Sequence, residues 1–393
     1  MINIAATRKI EKVFLCLLKE EDLRQTICTD LNRFHKQDWQ LFADLAVRSG
    51  VFPACYTKLL GLGFNSIPSE SLSRFKNQYL FNLTRNMILE QELANILACL
   101  RQHSIPVISL KGPVLARSIH RDIALRQASV DLDLLVQAER LKEAKERLQE
   151  TGYVYASYRD AEFSFDFNQQ IILQKRPTGT IVDLHCNFTY KYISLPVGEF
   201  WRDTQYLQCN GFRAQVLSNE NLLLYLAFTA LHPTDNVGLK YLYDIHKLIL
   251  LRGQELDWDT LKKKAGSLDL DAALFLALQL SHSLFNTPIV PESLNIKKPS
   301  LVKRNLLKLW LNKGSILRDR HKAIPGYTWR YLAASYLYSK NIFDCINKIF
   351  KRVFLPSQEV AGLYGRPAQD ASFYLSLRRL LNPILKGKNT VER

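Results

Sequence analysis

The stretch SVDLDLLV (129–136) constrains this chain most, because it places two carboxylates in a run that is typical of a buried strand. Asp131 and Asp133 lie two positions apart, and alternation along a strand points both side chains to one face. Carboxylates this close repel each other unless one is protonated or a cation lies between them. The motif therefore predicts an acidic metal site, with an exposed edge strand or a salt-bridged pair as alternatives.

A third acid, Asp183, lies in IVDLHCNF, a second apolar stretch that is typical of a strand. If this strand pairs beside SVDLDLLV, Asp131, Asp133 and Asp183 converge on one spot. Clustered carboxylate oxygens suit a hard divalent cation such as Mg²⁺ or Mn²⁺. Three acids around such a cation can support phosphoryl or nucleotidyl transfer. In such a site, Asp183 is expected to accept the proton from the attacking group.

The stretch IPVISL (105–110) is predicted to be the first strand, and it ends at Lys111-Gly112-Pro113. Proline suits a first helical turn, so a helix is expected to begin there. Backbone N–H groups at a helix N-terminus attract phosphate, although Pro113 removes one donor. Lys111, Gly112 and Arg126 are therefore the predicted phosphate contacts.

Apolar spacing divides the chain into four predicted regions. A helical N-terminal region (1–104) is followed by a mixed core (105–214), a helical domain (215–300) and a basic, mainly helical C-terminal region (301–393). The core has further predicted elements, with the last two strands forming a hairpin around 177–179. They are a helix over 137–150 and strands at 153–158, 163–167, 169–176 and 179–188.

The net charge of +16 is concentrated at the C-terminal end. Residues 301–393 carry 18 lysines and arginines against 5 acids, whereas the first 300 residues carry 35 against 32. This excess predicts an anionic partner, RNA or a membrane surface, with a solvated helical face as the alternative.

The chain has no apolar stretch of the length that a transmembrane segment needs, and its start resembles no secretory signal. Its seven scattered cysteines contain no CxxC pair, which argues against a disulfide framework. We therefore expect a cytoplasmic protein.

Four motifs in order resemble the uncharacterised nucleotidyltransferase-like family of bacteria, which belongs to the polymerase β-type nucleotidyltransferase superfamily. They are LKG (110–112), Arg126, DLDLLV (131–136) and VDLH (182–185). With SGVFPACYTKLL and KYLYDI, the resemblance covers roughly residues 35–250. It implies an α+β fold in which a small mixed-sheet nucleotidyltransferase core is flanked by N-terminal and C-terminal helical regions.

The resemblance also implies roles for individual residues. Asp131 and Asp133 would be the metal-binding pair, Asp183 the third acid, and Lys111 with Gly112 the turn before the first helix. The family pattern has Gly or Ser after the glycine of that turn, where this chain has Pro113. That departure bears on how the chain would bind a triphosphate.

The implied activity is a metal-dependent transfer of a nucleoside monophosphate from an NTP, with ATP the expected donor, to a hydroxyl or phosphate of an unknown acceptor. Three more residues are predicted to contact the substrate, each with a structural alternative. His185 would otherwise be a core histidine, His232 a helix cap, and Lys240 the partner of Asp244.

Two alternative functions remain open at this point. The first is a catalytically inactive module with the same fold that binds a nucleotide or nucleic acid, which the Gly112-Pro113 turn favours. The second is a nucleic-acid-modifying enzyme whose basic C-terminal region contacts RNA.

Overall fold

The structure is a computed structural model, and it describes ten segments of the chain. These are residues 4–19, 24–63, 67–156, 170–176, 178–190, 193–231, 238–289, 294–310, 336–339 and 343–346. The predicted strand over 163–167, His232 and most of the basic C-terminal region lie outside the described residues. Within them, helices precede and follow a mixed sheet, which confirms the α+β class.

Five helices precede the first strand, as the spacing of apolar residues predicts. Their bounds are α1 (Ile4–Leu18), α2 (Arg24–Leu31), α3 (Lys36–Arg48), α4 (Phe52–Gly61) and α5 (Ser69–Gln102). Trp39, Phe42 and Phe75 are buried between α3 and α5, with ring centroids 6.1 to 6.3 Å apart. The long α5 continues from this aromatic cluster to the sheet, where Leu93 and Leu100 belong to the core. One helix therefore contributes to both cores.

Five strands form one mixed sheet in the order β1-β2-β5-β4-β3. They are β1 (Val107–Ser109), β2 (Asp131–Val136), β3 (Tyr153–Tyr155), β4 (Gln170–Lys175) and β5 (Ile181–His185). The pair β2 and β5 is parallel, and the other pairs are antiparallel. The antiparallel β4 and β5 confirm the predicted hairpin, and β5 lies beside β2.

Of the two helices predicted in the core, one begins where expected and the other is preceded by a 3₁₀ turn. Helix α6 (Pro113–Ser118) begins at the proline, as expected. The segment predicted as a helix over 137–150 begins with a 3₁₀ turn (Ala138–Arg140) before α7 (Leu141–Glu150). Strand β2 begins two residues later than predicted, because Val130 is exposed and precedes the buried part of the run.

The second half of the described chain contains two small strand pairs and a helical layer. A β-hairpin of β8 and β9 was not predicted, although Asn210-Gly211 at its turn is a strong hairpin signal and Gly211 adopts a positive φ. The elements are β6 (Phe188–Tyr190), β7 (Ile193–Leu195), α8 (Gly198–Arg202), β8 (Thr204–Gln208), β9 (Arg213–Leu217), α9 (Asn219–Ala230), α10 (Leu239–Arg252), α11 (Trp258–Ser267), α12 (Asp271–Phe285) and α13 (Leu301–Trp310). Among the helices that the structure describes, none is long and apolar enough to cross a bilayer.

A buried ion pair joins the loop before β2 to helix α10. The guanidinium of Arg126 donates from Nε to both carboxylate oxygens of Asp244 (3.0 and 3.1 Å) and from Nη2 to Oδ2 (2.8 Å). The two side chains are only 2 % and 1 % exposed. Nε2 of His120 lies 2.8 Å from the same carboxylate. Asp244 thus pairs with Arg126, and not with Lys240 one turn earlier.

The backbone of the same loop is held by two asparagines of α5. The side-chain amide of Asn82 donates to the carbonyls of Ala124 and Arg126, each at 3.2 Å. Asn86 donates to the carbonyls of Ile123 (2.7 Å) and Arg126 (2.8 Å). Because both asparagines are buried, these bonds replace water at carbonyls that would otherwise have no partner. Arg126 is therefore fixed at its backbone by α5 and at its side chain by α10.

We predict that Asp244→Ala lowers the free energy of unfolding at pH 7 by about 3–5 kcal/mol, because it leaves the Arg126 guanidinium buried without its partner. Burial tends to raise the pKa of Asp244, but Arg126 and His120 outweigh it and hold that pKa well below its usual range. The stabilisation is therefore present above about pH 4 and is lost as the pH falls further.

Urea unfolding between pH 7 and pH 3 measures both effects. The matched control is Asp44→Ala, which breaks the exposed pair with Arg74 and should change the free energy of unfolding by less than about 1 kcal/mol. Equal losses for the two variants would contradict the role given to the buried pair.

Candidate functional site

The register of β2 and β5 brings the predicted acids together. In this parallel pair Asp133 lies directly opposite Asp183, and Leu135 lies opposite His185. Alternation places the side chains of Asp131, Asp133, Asp183 and His185 on one face of the sheet. Four titratable groups from two neighbouring strands therefore share a small area.

The imidazole of His185 lies between two of the carboxylates. Its Nε2 is 3.4 Å from Oδ1 of Asp133 and 3.4 Å from Oδ2 of Asp183. One ligand atom from each of these three residues lies within 4.8 Å of the others. In the described chain, the group of side chains close enough to share a cation is therefore Asp133, Asp183 and His185, while Asp131 is not part of it.

Lys111 supplies the positive charge that this face carries in the structure. Its Nζ donates to Oδ1 of Asp133 at 2.9 Å, and the two side chains are 14 % and 7 % exposed. The ammonium also lies 5.6 and 5.7 Å from the ring centroids of Tyr225 and Tyr241, within range of cation–π attraction. Sequence analysis did not identify the two tyrosines, which come from α9 and α10.

Gly112 allows the chain to turn between β1 and α6. Its φ of 70° and ψ of −133° are a combination that is open almost only to glycine. The turn directs Lys111 toward Asp133 while Pro113 starts the helix. The sequence-predicted Lys-Gly turn is therefore adjacent to the acids, as the motif order indicates.

The charges of this cluster shift its pKa values in opposite directions. Burial tends to raise the pKa of Asp133, but Lys111 and His185 outweigh it and hold that pKa well below its usual range. Burial likewise tends to lower the pKa of Lys111, yet Asp133 raises it well above its ordinary value. Asp133 and Lys111 are thus a charged pair at neutral pH.

Asp183 has a different environment. Burial, together with the charges of Asp133 and Asp131, outweighs His185 and raises the pKa of Asp183 to about 6. Its Oδ1 is buried and has no hydrogen-bond partner among the described residues. A buried carboxylate oxygen without a donor is costly, and a bound cation would satisfy it. The donor set of two carboxylates and one imidazole fits a divalent metal ion such as Mn²⁺ or Mg²⁺.

Asp131 lies at the first position of β2 and is partly exposed. Burial and the neighbouring Asp133 raise its pKa, while Lys111 and His185 act in the opposite direction. Its charge therefore acts on the same cluster, although its oxygens lie outside the group of three. It is placed at the solvent side of the site.

Arg126 and Lys240, which are also predicted to contact the substrate, do not belong to the acidic cluster. Arg126 is buried in its pair with Asp244, so its guanidinium faces the protein interior. Lys240 lies one turn before Asp244, and burial together with the charge of Arg126 lowers its pKa well below the usual value. A Cβ added at Gly50 would lie 2.9 Å from Cβ of Lys240, so the turn after α3 packs closely against this lysine. His232 lies outside the described residues.

Comparison with known proteins adds a family assignment. The model of a family described as "uncharacterised nucleotidyltransferase" matches residues 35–286, which is more than half of the chain. No curated protein sequence matches the chain.

A solved structure, of an antigenic nucleotidyltransferase-like protein from Paracoccidioides brasiliensis, was also found as a similar structure. It is 16 % identical, with a TM-score of 0.30, and the match covers 57 % of this chain and 96 % of that one. This likeness is too low to carry an argument.

The raised pKa of Asp183 leads to a prediction about stability. In metal-free protein the contribution of this carboxyl is complete below about pH 4 and is lost as the pH rises through about 6. Asp183→Asn removes the ionisation. From pH 4 to pH 7.5, the stability of the variant relative to the unsubstituted protein should therefore rise by about 2–3 kcal/mol.

Urea unfolding in the presence of a chelator measures this difference across the pH range. Asp259→Asn, at an aspartate that is 81 % exposed, is the matched control and should show no such trend. A difference for Asp183→Asn that stays constant with pH would contradict the assigned environment.

Proposed function

This chain belongs to the uncharacterised nucleotidyltransferase family, and on that premise we propose that it is a metal-dependent nucleotidyltransferase. It would transfer a nucleoside monophosphate from an NTP, with ATP the expected donor, to a hydroxyl or phosphate of an acceptor, and release pyrophosphate. The observation that carries the proposal is the register that places Asp133 opposite Asp183, with His185 between their oxygens.

Asp133, Asp183 and His185 would hold the metal ion, which we propose to be Mg²⁺ or Mn²⁺. When bound, such an ion neutralises phosphate charge and lowers the pKa of an attacking hydroxyl. Imidazole is a better ligand for Mn²⁺ than for Mg²⁺, so His185 favours Mn²⁺ at this position. Asp131, at the solvent side, would add a second negative charge for a cation that arrives with the triphosphate.

Asp183 would accept the proton of the attacking group. A base works best when its pKa is near the working pH. The pKa of Asp183 is about 6 in the metal-free protein, and a bound cation would lower it. The acceptor oxygen would form a bond to the α-phosphorus while the bond to the pyrophosphate oxygen breaks. His185, which contacts both carboxylates, would hold Asp183 in position for the proton.

Lys111 and Lys240 would contact the triphosphate. Lys111 lies two residues after the end of β1 and is charged, and its three N–H donors suit phosphate oxygens. Burial and the charge of Arg126 lower the pKa of Lys240, and anionic phosphates nearby would raise that pKa and favour the charged form. Arg126 would position rather than contact the substrate, since its donors are committed to Asp244.

The second candidate function is a module that binds a nucleotide without turnover. Two observations favour it: the ammonium of Lys111 already neutralises Asp133, and Pro113 removes a backbone donor from the turn. Under this alternative, Lys111 would hold Asp133 in place permanently.

Transfer is tested with α-labelled NTPs and Mn²⁺ or Mg²⁺, following pyrophosphate release and labelling of the protein or of added acceptors. Asp131→Asn, Asp133→Asn and Asp183→Asn should each reduce the rate at least about 100-fold, because each removes a charge from the metal site or the base. Asp259→Asn should leave the rate unchanged.

The three variants also separate the two functions. Turnover that survives Asp133→Asn and Asp183→Asn would contradict the proposed site. NTP binding without pyrophosphate release, under all metals and acceptors, would instead support the binding module.

Lys111→Met tests whether a lysine and a metal ion share Asp133. The substitution leaves the buried carboxylate without its partner, so the metal-free variant should lose about 2–4 kcal/mol of stability. Mn²⁺ should then raise its melting temperature more than that of the unsubstituted protein, because the cation no longer competes with an ammonium. Thermal melts with chelator and with Mn²⁺ measure this. An equal rise in both proteins would contradict competition at Asp133.

A further inference from the structure

A cavity lies at the β1 edge of the sheet, away from the acidic cluster. It has a volume of about 280 Å³ and is lined by the end of β1, by α6, by the β8–β9 hairpin, by the start of α9 and by the end of α10. Ser109 of β1 pairs with Leu134 of β2, and Asp133 is the residue before Leu134. Side chains alternate, so Ser109 points to the opposite face of the sheet from Asp133.

The polar lining of this cavity has one sign of charge. It includes Arg117, Arg121 and Arg252, and none of the described residues that line the cavity is acidic. Arg121 forms no ion pair with any residue that the structure describes. Its backbone has a positive φ of 60°, which is uncommon for a non-glycine residue.

The other two arginines are fixed by acids that lie outside the lining. Arg117 donates from Nε and Nη2 to the buried Glu90, both at 2.8 Å. Arg252 donates from Nη1 to Glu255 at 3.0 Å. A guanidinium has five N–H donors, so each arginine is oriented by its acid and keeps donors for another acceptor.

A buried hydroxyl provides an independent observation. Ser109 is 2 % exposed and lines the cavity, and its Oγ has no hydrogen-bond partner among the described residues. Buried polar groups are normally paired, so an unpartnered hydroxyl on a residue that lines the cavity supports a ligand site there. The hydroxyl can donate to an anionic oxygen.

The rest of the lining is largely apolar. Leu110, Leu115, Ile119, Leu217 and Leu222 are buried side chains that contribute to it. The volume is enough for a single-ring compound. Guanidinium groups beside an apolar wall suit a ligand with an anionic head and an apolar body.

We propose that this cavity is a second ligand site for a small amphipathic anion, a phosphate or carboxylate on an aromatic or apolar body. Arg121, supported by Arg117, binds the anionic head, and the leucines contact the body. The site is independent of the proposed nucleotidyl transfer.

Phenyl phosphate, benzoate and phenol are the probes, and ligand-observed NMR titration of the full chain measures their dissociation constants. At least one of the two anions should bind at least about ten-fold more tightly than phenol. Binding of phenyl phosphate alone would assign a phosphate head, and binding of both anions would assign either head. Failure of both anions to bind more tightly than phenol overturns the proposal.

Substitutions locate the site. Arg121→Gln should weaken anion binding about ten-fold, since it removes the unpaired cation, and Ser118→Trp should abolish binding by filling the space beside α6. Arg101→Gln, at an exposed arginine that does not line the cavity, is the matched control and should bind normally.

Two further variants separate this site from the acidic cluster. Asp133→Asn and Lys111→Met should retain anion binding, whatever they do to nucleotidyl transfer. Loss of binding in Lys111→Met with normal binding in Arg121→Gln would place the anion at the acidic cluster and overturn the proposal. Thermal melts confirm that each variant is folded before it is titrated.

Discussion

The buried pair of Arg126 and Asp244 is the contact on which the arrangement of the site depends. It joins the loop before β2 to α10, across 118 residues of sequence, at two side chains that water barely reaches. Asn82 and Asn86 fix the backbone of the same loop to α5. Buried charges are stabilised only when their geometry and hydrogen bonding are complete. The loop, α5 and α10 therefore have one relative position in which all of these contacts form. Because β2 begins just after that loop, the contacts that fix the loop also fix the positions of Asp131 and Asp133.

Two kinds of cation can neutralise the carboxylates on this face of the sheet, namely the ammonium of Lys111 and a divalent metal ion. Lys111 neutralises one carboxylate, and Asp183 is left with an oxygen that no described residue contacts. An ammonium is a single point charge on a flexible stem, whereas a divalent ion can accept oxygens from several residues at once. The chain belongs to a nucleotidyltransferase family, and under the proposed function Asp133 is the carboxylate for which Lys111 and a metal ion compete.

Sequence analysis could predict those features that leave a local pattern. Alternation in SVDLDLLV and IVDLHCNF indicated strands, and their acids do lie opposite each other. It could not predict that Arg126 pairs with Asp244, because a contact between distant segments leaves no periodicity in either. For the same reason it missed the rings of Tyr225 and Tyr241 around Lys111. The β8–β9 hairpin is different, since its Asn210-Gly211 turn is a local signal that the sequence does contain.

The parallel pairing of β2 and β5 also has a consequence for how the chain folds. Directly paired residues of the two strands, such as Asp133 and Asp183, are 50 positions apart in the sequence, with β3 and β4 between them. Their pairing therefore closes a long loop and is intrinsically slow. The hairpin of β4 and β5 is local and can form first, with Asp183 and His185 still in water. A one-residue error in its docking onto β2 would turn the acids of β5 to the opposite face. If the hairpin forms first, the site is completed only when β5 docks onto β2, and chains folded only that far would lack it.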